Sequence, residues 1–208
     1  YVPSPGDISM GSVILTLSAT GIGPCTMAAE SSILLSFTVA PTAYAGVDFT
    51  ICEGSNVDVT TATASDFQSV VWTSSGSGMF LNGNSLTPTY IPSALDISSG
   101  IVSLTLTAVP VAPCAIPATD AIMVTIHQAP QVFAGNNTSV CPPDQYTTLT
   151  ASAGNYTHLL WTTNGTGTFT DPTVLVTVYS PSAADISNGS VTLNLTAYAN
   201  APCTTVSD

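Results

Sequence analysis

The chain has 208 residues, twelve of them Asp or Glu and none Lys or Arg, for a formal net charge of −12 at pH 7. With no cation to meet a phosphate backbone, nucleic-acid binding is excluded, and an anionic membrane surface is disfavoured for the same reason. No apolar run approaches the ~18 residues of a membrane span, while a hydrophobic content of 45% is enough to build packed cores.

A repeat governs the rest. The words Tyr90-Ile91-Pro92-Ser93, Asp96-Ile97 and Gly100 occur earlier as Tyr1-Val2-Pro3-Ser4, Asp7-Ile8 and Gly11. They return as Tyr179-Ser180-Pro181-Ser182, Asp185-Ile186 and Gly189, each set 89 positions after the last. Cys25, Cys114 and Cys203 keep that spacing, as do Cys52 and Cys141, Trp72 and Trp161, and Gly46 and Gly135. A fixed period of this size marks a tandem array with one small domain per unit. The chain divides into 1–40, the C-terminal part of a preceding unit; 41–128, a complete unit; and 129–208, a unit lacking its last strand.

In the first segment Val13, Leu15, Leu17 and Ala19 alternate with more polar neighbours, the period-2 mark of a half-buried strand. Ile33–Val39 is a second apolar run. In the complete unit, Pro41–Cys52 reads as a first strand interrupted at Gly46, followed by strands near Val57–Thr61 and over Ser69–Thr73, with Trp72 as the large buried body. Phe80 begins a short return strand. Thr87–Tyr90 is the next, and Pro88 argues that it lies at a sheet edge. Ser93 three residues before Asp96 is a capping-box pattern, so a single helical turn is expected there, closed by Gly100. Val102–Ala108 and Ala121–Ile126 complete the unit. Seven short strands predict an all-β fold of immunoglobulin-like sandwiches. In the third segment Leu149 falls on the position of Thr60 instead of Val59, a phase shift that a bulge would absorb. Only Ala129-Pro130 separates the complete unit from the next, which predicts domains abutting end to end as a stiff rod.

Ala45-Gly46, Ile51-Cys52-Glu53-Gly54, Trp161 through Phe169, Tyr179 through Ile186, and Leu195-Thr196-Ala197 with Pro202-Cys203 resemble one repeat family. It is the PKD-like, immunoglobulin-like tandem repeat of very large secreted surface proteins of gliding bacteria. The resemblance covers the whole chain. It implies export, display on the bacterial cell surface, and a stalk or adhesin role, and it supplies no catalytic residues.

The cysteines lack metal-ligand spacing, with no Cys-x-x-Cys and no recurring His, so disulfides are expected. Pairing within units would give Cys52–Cys114 and Cys141–Cys203. Strand parity favours another pairing. In a sandwich entered at one end and left at the other, the turn after the first strand and the loop before the last lie ~20–30 Å apart. A disulfide needs Cα atoms within ~7 Å. The same two loops face each other across a junction, which favours Cys52–Cys203 and leaves Cys25, Cys114 and Cys141 to other repeats.

Asp7, Asp96 and Asp185 are the one acidic position shared by all three copies, and the helical-turn cap accounts for them. Asp48, Asp58 and Asp66 become Asn137, Thr147 and Asn155, so no acidic site recurs there. Calcium at the domain junctions is the alternative that abundant oxygen ligands leave open; no other cofactor is expected. Trp72, Trp161, Tyr90 and Tyr179 are expected in the core, with sugar stacking as the competing role. His127 and His158 do not recur and form no triad pattern. Asn136, Asn155, Asn164 and Asn194 stand in Asn-x-Ser/Thr patterns that suggest glycosylation. The expected function is a non-enzymatic stalk or filament segment, its partners the neighbouring repeats and lateral copies of the filament. The alternatives are repeats that themselves bind a glycan or protein ligand, or fibre subunits joined by donated strands.

Overall fold

The computed structural model describes residues 1–24, 26–141 and 144–208. The first segment holds α1 (Pro5–Met10), β1 (Ser12–Ala19) and β2 (Ala29–Ser36). The complete unit contains β3 (Thr42–Tyr44), β4 (Phe49–Cys52), β5 (Val57–Asp58), β6 (Thr63–Ser65), β7 (Phe67–Ser74), β8 (Met79–Leu81) and β9 (Thr89–Ile91). It closes with α2 (Ala94–Ser99), β10 (Ile101–Pro110) and β11 (Ala118–His127). The third segment repeats the order as β12 (Gln131–Phe133), β13 (Tyr146–Thr147), β14 (Ser152–Gly154), β15 (His158–Thr163), β16 (Thr168–Phe169) and β17 (Val178–Ser180). It ends with α3 (Ala183–Asn188), β18 (Leu193–Tyr198) and β19 (Val206–Ser207).

The chain is a tandem of immunoglobulin-like β-sandwiches. In the complete unit one sheet has the order β4-β11-β10-β7, and the facing layer is made of β3-β6 and β5-β9-β8. The alternation in the sequence decides the inner face: Val102, Leu104, Leu106 and Ala108 of β10 are buried, as are Ile122, Val124 and Ile126 of β11. They close on Val70 and Trp72 from their own sheet and on Ala45, Val57, Val59 and Tyr90 opposite. The third segment builds the same core around Leu159, Trp161, Leu195 and Ala197. The first strand is split at Gly46, whose φ of +111° and close approach to Thr61 exclude any side chain. β3 can thereby pair antiparallel with β6 while β4 crosses to pair parallel with β11. Gly135 repeats the geometry at φ +110°.

Two expectations need correction. Pro88 does not mark an edge: β9 lies in the middle of its sheet, between β5 and β8. Proline is tolerated because it stands just before the strand, where its carbonyl accepts from the Val59 N–H at 3.0 Å and no ladder donor is missed. Nor is there a bulge at Leu149. That residue is 74% exposed, and Thr148 occupies the fully buried place of Val59. The third segment, expected without a last strand, has a short one, β19, paired with β18.

The threonine has a physical reason. Thr177 stands 89 residues after Pro88 and, unlike it, carries a backbone N–H, which donates to Thr148 Oγ1 at 2.8 Å. The Thr148 hydroxyl in turn donates to the Leu175 carbonyl at 3.0 Å. The pairs Val59/Pro88 and Thr148/Thr177 are two ways of leaving no buried donor unmet. Thr148→Val should strand the Thr177 N–H and cost ~1–3 kcal/mol, measured by denaturant unfolding. The double variant Thr148→Val/Thr177→Pro should regain most of the loss.

Candidate functional site: an aspartate clasp and a bonded junction

Ser93, Ser4 and Ser182 each N-cap a six-residue helical turn, and in each the aspartate three residues later returns the bond to the serine N–H, completing a capping box. In the two fuller units the aspartate does more than cap. Asp96, 2% exposed, accepts from the Ser77 N–H at 3.0 Å and the Gly78 N–H at 2.9 Å. It also accepts from the Tyr90 hydroxyl at 2.8 Å and the Ser93 N–H at 2.9 Å. Asp185 is bound the same way by Thr166, Gly167, Tyr179 and Ser182. One carboxylate thus ties three pieces of chain together: the hairpin loop after the tryptophan strand, the strand carrying the tyrosine, and the helical turn.

The glycines of Ser75-Gly76-Ser77-Gly78 are required by this approach. A Cβ on Gly76 would collide with the Asp96 carboxylate, and one on Gly78 with the Tyr90 ring and the Ile91 carbonyl. Gly165 and Gly167 meet the same neighbours around Asp185 and Tyr179. Burial pushes the Asp96 carboxyl up, yet the donors around it outweigh this and hold it at about 2. Donors led by the Ser182 N–H carry Asp185 well below the usual carboxylate range. Asp7, whose surroundings are open, accepts from the Tyr1 hydroxyl and is also lowered.

A second aspartate escapes a fixed-period reading. Asp120 Oδ2 accepts from the Ala45 N–H at 2.7 Å, and Asp208 Oδ2 from the Ala134 N–H at 2.8 Å. Both tie the last strand to the start of the first. They are 88 residues apart, because one residue fewer separates Cys203 from Asp208 than Cys114 from Asp120. Matching the acid that follows each cysteine, with a gap allowed, would have found the pair. Asp66 and Asn155 are a backbone matter: both hold positive φ, 54° and 57°, which Asp and Asn tolerate better than most residues.

At the junction Cys52 and Cys203 are disulfide-bonded with Cα atoms 4.9 Å apart. The Cys203 sulfur lies 3.5 Å from the His127 carbonyl oxygen, which accepts from the Glu53 N–H at 2.8 Å. Glu53 Oε2 accepts from the Ala129 N–H at 3.1 Å, and Asn155 Nδ2 donates to the Ala129 carbonyl at 3.1 Å. His127 Nδ1 lies 2.9 Å from the Ala201 carbonyl oxygen. Ala129, the first of the two residues that link the sandwiches, is therefore bonded from both sides. Neither Cys52–Cys114 nor Cys141–Cys203 is formed. Cys114 and Cys141 are unbonded, with the Cys114 thiol donating to the Thr38 carbonyl at 3.3 Å, and Cys25 lies outside the described residues. Among the described residues no group of three His, Cys, Asp or Glu side chains gathers to hold a metal.

Trp72 and Trp161 are buried with their indole N–H groups on the Ser85 and Leu175 carbonyls at 3.0 and 3.2 Å. Tyr90 and Tyr179 are buried beneath Phe80 and Phe169. None of these four rings presents a face to a sugar. His158 does lie at the surface, stacked on Tyr198 with ring centroids 4.1 Å apart.

No family model and no curated protein matches the chain. Among solved structures, the protocadherin gammaB4 extracellular domain is similar at 14% identity and a TM-score of 0.49, over 97% of this chain and 36% of that one. The protocadherin gammaB7 EC3-6 cis-dimer structure is similar at 14% identity and a TM-score of 0.48, over 96% and 59%. Sidekick-1 immunoglobulin domains 1–4 follow at 15% identity and 0.45, over 92% and 55%. The chain thus spans between a third and three-fifths of the length of these structures.

The clasp makes folding sensitive to acid. A carboxyl held at about 2 when folded and near ~3.9 when unfolded contributes stability that is fully present above pH ~4. That stability is lost as pH falls towards 2. Unfolding free energy followed from pH 6 to pH 2 should decline over that window, and Asp96→Asn should flatten the decline. Gly76→Ala should cost upwards of ~2 kcal/mol at neutral pH.

Proposed function

We propose that the chain is a segment of the structural stalk or filament of a large bacterial surface protein, serving to hold something else at a distance. The observation that carries this reading is the junction. A two-residue link, its Ala129 hydrogen-bonded to both sandwiches and the junction closed by a disulfide between one sandwich and the next, leaves neighbouring domains little room to bend. A binding module on a tether has no use for that arrangement, whereas a strut requires it. Two features fit the extracellular setting. A disulfide persists where the surroundings are oxidising, and a net charge of −12 without Lys or Arg keeps a long polymer soluble. The buried polar groups are met from within: no buried side-chain nitrogen or oxygen among the described residues lacks a partner.

Small-angle scattering tests the reading. The oxidised chain should give a single extended distance distribution, unchanged by calcium chelation. Thiol reduction should broaden it. A distribution already broad before reduction would refute the strut. In the chain-entropy account, a bridge closing a 151-residue span contributes about 5 kcal/mol by constraining the unfolded chain. Reduction should therefore also lower the thermal midpoint.

One observation favours a second reading, in which the repeats themselves bind a glycan. The His158–Tyr198 stack lies at the surface of the third segment, and the complete unit has Ser69 and Val109 at the corresponding positions. Aromatic surfaces of this kind stack on sugar rings. If this reading holds, glycan-array binding should be detectable and should vanish in Tyr198→Ala.

A further inference from the structure

We infer that the Cys52–Cys203 bridge is a force shunt: tension along the chain bypasses residues 53–202, which hold most of both sandwich cores, so the protein cannot lengthen by unfolding that part. The inference goes beyond the stalk reading and rests on connectivity alone. The bridge joins the end of the first strand of one sandwich to the loop before the last strand of the next, 151 residues on. A load that arrives through residues 1–52 therefore passes over the sulfurs to residues 203–208. The residues between them, including the buried parts of β7, β10 and β11 and of β15 and β18, lie in a closed covalent loop. A loop fixed at both ends carries no end-to-end tension, however strong the pull.

The repeat extends the same logic to each junction. The Cys114 sulfur sits against the Thr38 carbonyl as the Cys203 sulfur sits against the His127 carbonyl, and Thr38 and His127 are 89 residues apart. Cys141 holds the position of Cys52. In an array of this unit, Cys114 and Cys141 would each bond a cysteine of a further repeat. Each bond forms when two thiols lose two protons and two electrons to a disulfide-exchange oxidant, which leaves as a dithiol. The load-bearing path between one bridge and the next then runs from a Cys114 position to a Cys141 position, 27 residues. That path contains β11 and β12. Strand rises ~3.3 Å per residue, close to the ~3.3–3.6 Å limit of a fully stretched chain. Those two strands are already near full length while folded, so that part of the path has little slack to give.

Single-molecule pulling on the unmodified chain, held by its two ends, tests this. Before reduction the final contour should stop near ~200 Å, the reach of residues 1–52 and 203–208 together. Adding a thiol reductant to the same molecule should carry it to ~700 Å, the reach of the whole chain. Cys52→Ser should behave as the reduced chain whether or not it folds, because the limit is set by covalent bonds. A non-reduced chain that lengthens well past ~200 Å would overturn the inference, as would one whose length reductant does not change. The stalk reading is decided separately by the scattering of the untreated chain: a single extended distribution there, with the length limit absent here, overturns the shunt and leaves the stalk standing.

Discussion

A protein with acids and no Lys or Arg cannot bury a carboxylate against a cation, and this constraint shapes every unit of the repeat. Asp96 and Asp185 are sunk in the fold all the same, each answered by neutral donors alone: two N–H groups of a hairpin loop, one N–H at a helix cap and one tyrosine hydroxyl. Several such bonds to one anion can outweigh the cost of taking it from water. The recurring words of the sequence are the parts of this one interaction. The tyrosine supplies a hydroxyl, the serine a cap, and the glycines the room for a backbone to come close. Removing any part leaves a charge without its full set of partners, which is costlier than a lost neutral contact.

The clasp also explains why the sandwich closes where it does. Tyr90 and Tyr179 are held at the hydroxyl by the carboxylate and at the ring by Phe80 and Phe169. Those phenylalanines sit beside Trp72 and Trp161. A polar anchor and an apolar stack thus fix the same rings from opposite ends, so the packing of the core and the geometry of the loop are set together.

Much of this was legible in the residues. The period, the core alternation of β10 and β11, the helical turn and its cap could all be read because each depends on local chemistry or on spacing. What was not legible depends on what lies across the sheet. Pro88 looked like an edge residue because the sequence does not reveal that its nitrogen stands just outside the ladder. Leu149 looked out of phase because the reason for Thr148 at the buried place, a backbone N–H at Thr177 where the neighbouring unit has proline, is 29 residues away. Asp120 and Asp208 were hidden by a one-residue shortening that breaks a rigid comparison. The wider role of Asp96 was missed for a related reason: a cap accounts for its sequence position so completely that nothing prompts a search for further partners.

Among the described residues the carboxylates draw on peptide and hydroxyl dipoles, and a chain with no Lys or Arg has almost no ion pairs for dissolved electrolyte to weaken. The electrostatics left for salt to act on are chiefly the mutual repulsion of like charges, and screening relieves that. Brine should therefore tighten this fold where it would loosen a protein laced with ion pairs.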